Sequence, residues 1–128
     1  VVTWVELHRF EVPGPPVGYY AHGARPNHTR HQAYVAYKRH VQVCAMAAGV
    51  RLPLVATHAS PLLVETEAYF EHGTHADPEN VRKGITDALF YSREARGSAD
   101  KHTGGAFPPP LYDPANPRVV VVVKGRGA

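Results

Sequence analysis

Residues 77–87 read Asp-Pro-Glu-Asn-Val-Arg-Lys-Gly-Ile-Thr-Asp. Two carboxylates, Asp77 and Glu79, flank a proline where the pattern predicts a helix start, and Lys83 follows one turn after Glu79. Mg2+ prefers oxygen ligands and is commonly held by one or two carboxylates, with substrate phosphate completing its shell. In a chain of net charge +3, acids at this spacing point to metal-assisted chemistry on a phosphate backbone. Each residue also has a plainer role. Asp before Pro is a frequent N-cap, contributing about 1 kcal/mol. Glu79 in the first turn complements the helix dipole, and Lys83 stands i,i+4 from Glu79 in the favourable orientation. A metal site needs a further carboxylate, for which spacing leaves Asp87, Asp100 and Glu67 open.

The second candidate is the loop of residues 19–31. Arg25, His28, Arg30 and His31 supply cationic or donor groups, while Tyr19 and Tyr20 supply stacking faces of the kind nucleic-acid surfaces use. A tyrosine-anchored surface loop with scattered charges fits the composition equally well. His72 and His75 bracket a short connection, as do His28 and His31. Zinc takes four ligands in structural sites and three from the protein in catalytic ones. With one cysteine and no His-Glu-x-x-His, zinc is the poorer explanation. A solvated surface or contact with phosphate suits these histidines better.

The elements that must position these groups follow from length and pattern. The 128 residues fit a single domain spanning 1–128. The positive charge and nine histidines are compatible with a polyanionic partner. The lone Cys44 excludes an intramolecular disulfide framework and leads us to expect a reducing, cytoplasmic compartment. No apolar run approaches the roughly 18 residues of a membrane span, and the N-terminal segment lacks the pattern of a signal peptide.

Residues 2–12 predict a strand that Pro13-Gly14-Pro15-Pro16 ends. Residues 30–48 turn helical, with Tyr34, Tyr37, Val41, Cys44, Ala45 and Ala48 on one stripe, Thr29 or Asn27 as cap, and Gly49 at the end. Arg30, Lys38 and Arg39 take the other face. Residues 62–71 alternate, placing Leu62, Val64, Thr66, Ala68 and Phe70 toward a core and Leu63, Glu65, Glu67, Tyr69 and Glu71 away from it. A carboxylate-rich outer face of this kind argues against DNA lying there. A second helix over 78–91 buries Val81, Ile85, Ala88 and Leu89, and the glycine inside it, Gly84, implies close packing. On the wheel Glu79, Asn80, Lys83 and Asp87 share the opposite side. A further strand fits around 53–57, and residues 103–117 form a proline-rich irregular segment in which a central strand is forbidden. Five consecutive valines at 119–123 predict a strand covered on both faces. The fold class is therefore α/β, a small mixed sheet covered by two main helices.

In this order along the chain, these features resemble the RusA family of Holliday junction resolvases, small dimeric phage and prophage endonucleases. That family carries Asp-x-Asp-Asn-x-x-Lys at a helix start, and Asp77-Pro78-Glu79-Asn80-Val81-Arg82-Lys83 is similar with one change. Asp87-Ala88-Leu89 matches the end of the same helix. Ala99-Asp100 looks like the family's later Asp-Asp pair with its first member lost. The Pro-Pro turn at 15–16, the Tyr-Tyr basic loop and the next helix match in order, so the likeness covers most of residues 5–101.

The resemblance implies a Mg2+-dependent, structure-selective endodeoxyribonuclease acting in DNA recombination and repair, with a four-way DNA junction as partner. It makes Asp77, Glu79 and Asp100 the metal ligands and adds Lys83 to them as a catalytic residue. It makes Tyr20, Arg25, His28, Arg30 and His75 the DNA-binding residues. Paired nicks need two active sites, hence a homodimer, for which the valine-rich edge and the Tyr/Val helix stripe are the candidate surfaces. The departures are Glu for the second Asp, Ala99, and a proline-rich stretch in place of the strand after the acidic pair. They motivate the alternative, a RusA-like domain that binds branched DNA without cutting it. A basic domain with no nucleic-acid role is the third option.

Overall fold

Five valines in a row can remain dry on both sides only inside a sheet, and β7 (Arg118–Arg126) lies there. It pairs antiparallel with β1 (Trp4–Pro13) on one side and with β2 (Leu62–Phe70) on the other. The computed structural model describes residues 2–20, 29–92, 97–98 and 102–127. Its element order is β1, α1 (Thr29–Ala47), β2, α2 (Pro78–Phe90), β3 (Tyr91–Ser92), β4 (Gly97–Ser98), β5 (Thr103–Gly104), β6 (Leu111–Tyr112) and β7. The main sheet has five strands in mixed orientation, and β3 and β4 form a separate small antiparallel pair. No helix among the described residues is long and apolar enough to cross a membrane.

Both helices lie on one face of the sheet. Val119, Val121 and Val123 of β7, the inward residues of β2, and Phe10 and Val12 of β1 share a single core with Tyr37, Val41 and Ala45 of α1 and Val81, Ile85, Ala88 and Leu89 of α2. The alternation in β2 is realised as expected: Leu62, Val64, Thr66, Ala68 and Phe70 are all buried. On the opposite face Val120 is half-buried and Val122 nearly covered, screened by long charged side chains. There Lys124 pairs with Glu65 at 2.6 Å, and the Arg118 guanidinium stacks 4.0 Å from the Tyr69 ring centroid.

Several expectations are corrected. The proline-rich segment is not wholly irregular. Its residues run parallel along the free edge of β2 as an interrupted strand, β5 opposite Leu62 and Leu63 and β6 opposite Tyr69 and Phe70. Between them the Thr66 amide donates to the Ala106 carbonyl. Prolines lack the N–H that a central strand needs, but an edge strand has one unpaired side and tolerates them. Arg82 of α2 fastens this edge, donating from Nε to the Val64 carbonyl at 3.0 Å and from Nη2 to the Gly104 carbonyl at 2.6 Å. Residues 53–57 form no strand; the Leu54 amide is taken by the Leu89 carbonyl at the end of α2.

The two surfaces expected to dimerise are also occupied within the chain. β7 is an interior strand, and Tyr34, Tyr37 and Val41 are buried. Thr29 already belongs to α1, and Asn27 lies outside the described residues. Cys44 is only half-buried and Ala48 is exposed, because the helix ends there. Gly49, at φ 87°, closes α1, with the Gly49 amide on the Met46 carbonyl and the Val50 amide on the Ala45 carbonyl. This is a Schellman turn whose closing apolar residue, Val50, enters the core.

α1 and α2 meet where Gly84 lies under Tyr34. A Cβ at Gly84 would stand 3.0 Å from Tyr34 Cε1. Gly→Ala in a helix interior normally stabilises by about 1 kcal/mol, but overpacking against a held ring costs about 1–3 kcal/mol. Gly84→Ala is therefore expected to lower stability by about 1 kcal/mol in urea denaturation; a gain in midpoint would show that Tyr34 yields freely.

Candidate functional site

Both long helices begin at one cleft of about 550 Å3. Pro16 to Tyr20 form one wall, Arg30 and Ala33 come from the first turn and a half of α1, and Thr74 to Asp77 with Asn80 come from the β2–α2 connection and the start of α2. Four residues expected from sequence thus share a surface: Tyr20, Arg30, His75 and Asp77. Helix N-termini carry unpaired amides and partial positive charge, so this end of the molecule favours anions.

Asp77 is the N-cap of α2. Its Oδ1 accepts from the Glu79 amide at 2.9 Å, Pro78 occupies the first helical turn, and the Val81 amide reaches the Asp77 carbonyl. Oδ2 is not used by the cap. Glu79 is exposed beside it. These are two hard oxygen donors of the kind Mg2+ takes. Among the described residues no group of three or more His, Cys, Asp or Glu is arranged to hold a metal ion. Asp100 lies outside the described residues, as do Arg25 and His28.

The other acids left open by spacing are engaged elsewhere. Asp87 is half-buried and accepts the Tyr34 hydroxyl at 2.7 Å. Glu67 projects from the sheet face opposite α2, where it accepts from Tyr69 Oη at 3.1 Å. Lys83 does not close the expected ion pair with Glu79. Its Nζ sits over the Tyr19 ring, 4.6 Å from the centroid.

His75 is held on three sides. Its ring stacks on Phe70 at 3.9 Å, Nδ1 lies 2.6 Å from the Ala76 carbonyl oxygen, and Nε2 lies 2.9 Å from the Tyr112 hydroxyl. A carbonyl only accepts, so Nδ1 carries the proton, and in the neutral ring Nε2 accepts from Tyr112. A phosphate reaching Nε2 must displace that hydroxyl.

Sequence reasoning gave Tyr19 only a stacking face in the 19–31 loop, with no link to Lys83, and treated Tyr34 only as core. Tyr19 is anchored by its amide on the Asn80 carbonyl at 2.9 Å and meets the Tyr34 ring edge to face at 5.4 Å. The available signal was Gly84, whose missing side chain admits Tyr34. Burial, then the bond to Asp87, pushes the Tyr34 phenol far above its ordinary value. Burial does the same for Tyr37. The Tyr37 hydroxyl has no hydrogen-bond partner within bonding geometry among the described residues; the Val17 backbone offsets the shift only in small part.

No protein-family model matches this chain, and no curated protein matches it.

Because both folded phenols ionise above the unfolded value of about 10, their contribution to stability is complete below that pH and is lost as pH rises beyond it. Tyr37→Phe removes a buried hydroxyl without a partner, so stability at neutral pH is expected to be unchanged or higher by up to about 1 kcal/mol. The fall above pH 10 should become shallower. Denaturation midpoints across pH 7–11 check both. Asp77→Ala should cost about 1 kcal/mol by loss of the cap, whereas Asp77→Asn, which keeps a capping oxygen, should cost less than half of that.

Proposed function

We propose that the chain is a Mg2+-dependent, structure-selective endonuclease of the RusA type that resolves Holliday junctions by paired nicks. The observation that carries this reading is the meeting of Asp77 with Arg30, His75 and Tyr20 in one cleft at the start of both helices, with Lys83 over the tyrosine next to it. A phosphodiester entering the cleft meets two helix N-termini, which favour its charge. Arg30 offers N–H donors to the backbone, His75 can donate from Nε2 only when its ring is protonated and the Tyr112 hydroxyl is displaced, and the Tyr20 ring offers a stacking face.

Asp77 Oδ2 and the Glu79 carboxylate would hold the cation, with Asp100 as the third ligand that the resemblance assigns. When bound, Mg2+ supplies a water of lowered pKa and offsets charge on the departing 3′ oxygen. Lys83 keeps its ammonium charge over a neutral ring and stabilises the added negative charge on the phosphoryl oxygens. Paired nicks call for a homodimer.

The alternative, binding branched DNA without cutting, is favoured by one specific feature. Asp77 has a complete structural role as the cap before Pro78, so its presence does not require catalysis. The two versions part in a nicking assay on a synthetic four-way junction. The nuclease is expected to nick with Mg2+ and to stop with EDTA. Asp77→Asn should abolish cutting while keeping junction affinity, and Lys83→Met should slow cutting about a hundredfold. Junction binding without turnover in Mg2+ or Mn2+, across several core sequences, would establish the binding-only version. Affinity no better than for linear duplex near physiological salt would dismiss both.

A further inference from the structure

We propose that Tyr19 is a positioning residue that seats the Lys83 ammonium at the edge of the cleft without consuming its charge. The inference deepens the nuclease reading and rests on Lys83 facing phosphate. Lysine on an exposed helix samples many rotamers, and holding it in one costs entropy. The usual holder is a carboxylate, and Glu79 stands at the right spacing for it, yet Lys83 lies over Tyr19 instead. A carboxylate would neutralise the ammonium. An aromatic face attracts it through its quadrupole, leaves it cationic, and leaves N–H donors pointing away from the ring.

The seat is itself built. The Tyr19 amide is fixed to the Asn80 carbonyl, one turn before Lys83 on the same helix. Gly18 passes so close to the start of α2 that a Cβ there would be 3.0 Å from the Ala76 Cβ, just before the helix, and 3.4 Å from the Asn80 Cβ within it. The Tyr19 ring then rests edge to face on Tyr34 at an interplanar angle of 82°. Tyr34 is held by its hydroxyl on Asp87 and by the gap at Gly84. Each of these contacts leads to the same ring. Tyr19 also lines the cleft, so the lysine it carries is at the cleft's rim.

Two measurements test this. In NMR spectra of the protein alone, the Lys83 Cε protons should be shifted upfield by the ring current in the wild type and in Tyr19→Phe, and should return to ordinary lysine positions in Tyr19→Leu. In single-turnover cleavage of a four-way junction with Mg2+, Tyr19→Leu should be slower by roughly two- to fivefold, with Tyr19→Phe restoring the rate. Junction affinity should change by less than about twofold. In a Lys83→Met background the Tyr19→Leu effect should vanish, as a purely structural role would not. The absence of an upfield shift in the wild type, or a Tyr19→Leu effect that persists without Lys83, overturns the proposal. If the wild type cuts no junction, the nuclease reading falls, and the NMR comparison alone decides whether Tyr19 seats the lysine.

Discussion

The two helices open onto one cleft because Tyr34 crosses α2 at the only helical position without a side chain in its path. Gly84 lets the ring pass, and the hydroxyl then reaches Asp87 one turn further on. This single crossing sets the separation of α1 and α2, supports Tyr19 from behind, and through Tyr19 fixes the side chain of Lys83. A larger residue at 84 would push α1 away and disturb all three at once. Interiors transmit such strain because they are packed at crystal-like density.

The sheet beneath divides the molecule into two chemically different sides. On the helix side, valines of β7 and the inward residues of β2 form a dry core that anchors α2. On the other side, acids of β1, β2 and the turn after β6 are answered by basic residues of β1 and β7: Lys124 meets Glu65, Arg118 meets Glu11 and Asp113, and Arg9 meets Glu6. Charge on that face is largely balanced internally, which leaves the anion-attracting character of the molecule to the helix-start end. The exposed edge of β2 is covered by a strand broken with prolines, which also discourages pairing with another chain.

The start of α2 serves structure and proposed chemistry with the same atoms. One oxygen of Asp77 caps the helix and the other is not used by the cap, while Glu79 stands exposed beside it. A cap is rigid and oriented by the helix it begins, so a carboxylate in that position is already held for whatever it meets. The pairing of Lys83 with an aromatic ring rather than an acid preserves the contrast between the two carboxylates and the cation.

Much of this was legible in the residues themselves. Period-two burial in β2, the helical stripes of α1 and α2, the Asp77 cap and the Gly49 stop are local properties, set by side-chain direction and by φ preferences within a few residues, and each is found where the pattern places it, except that Cys44 is only half-buried and Ala48 exposed at the end of the α1 stripe. The acid motif was likewise visible, because its spacing on one helix needs no tertiary information. What sequence could not decide is anything that depends on which distant segment arrives. Prolines at 108–110 rule out a central strand but do not say that the segment lies along β2. An i,i+4 rule pairs Lys83 with Glu79 because it cannot see Tyr19 approaching from 64 positions earlier in the chain. A run of valines reads equally as an edge or a centre until two neighbours hydrogen-bond to it. Local chemistry chose the elements; long-range packing, whose loop-closure cost leaves no mark in any short window, chose their partners.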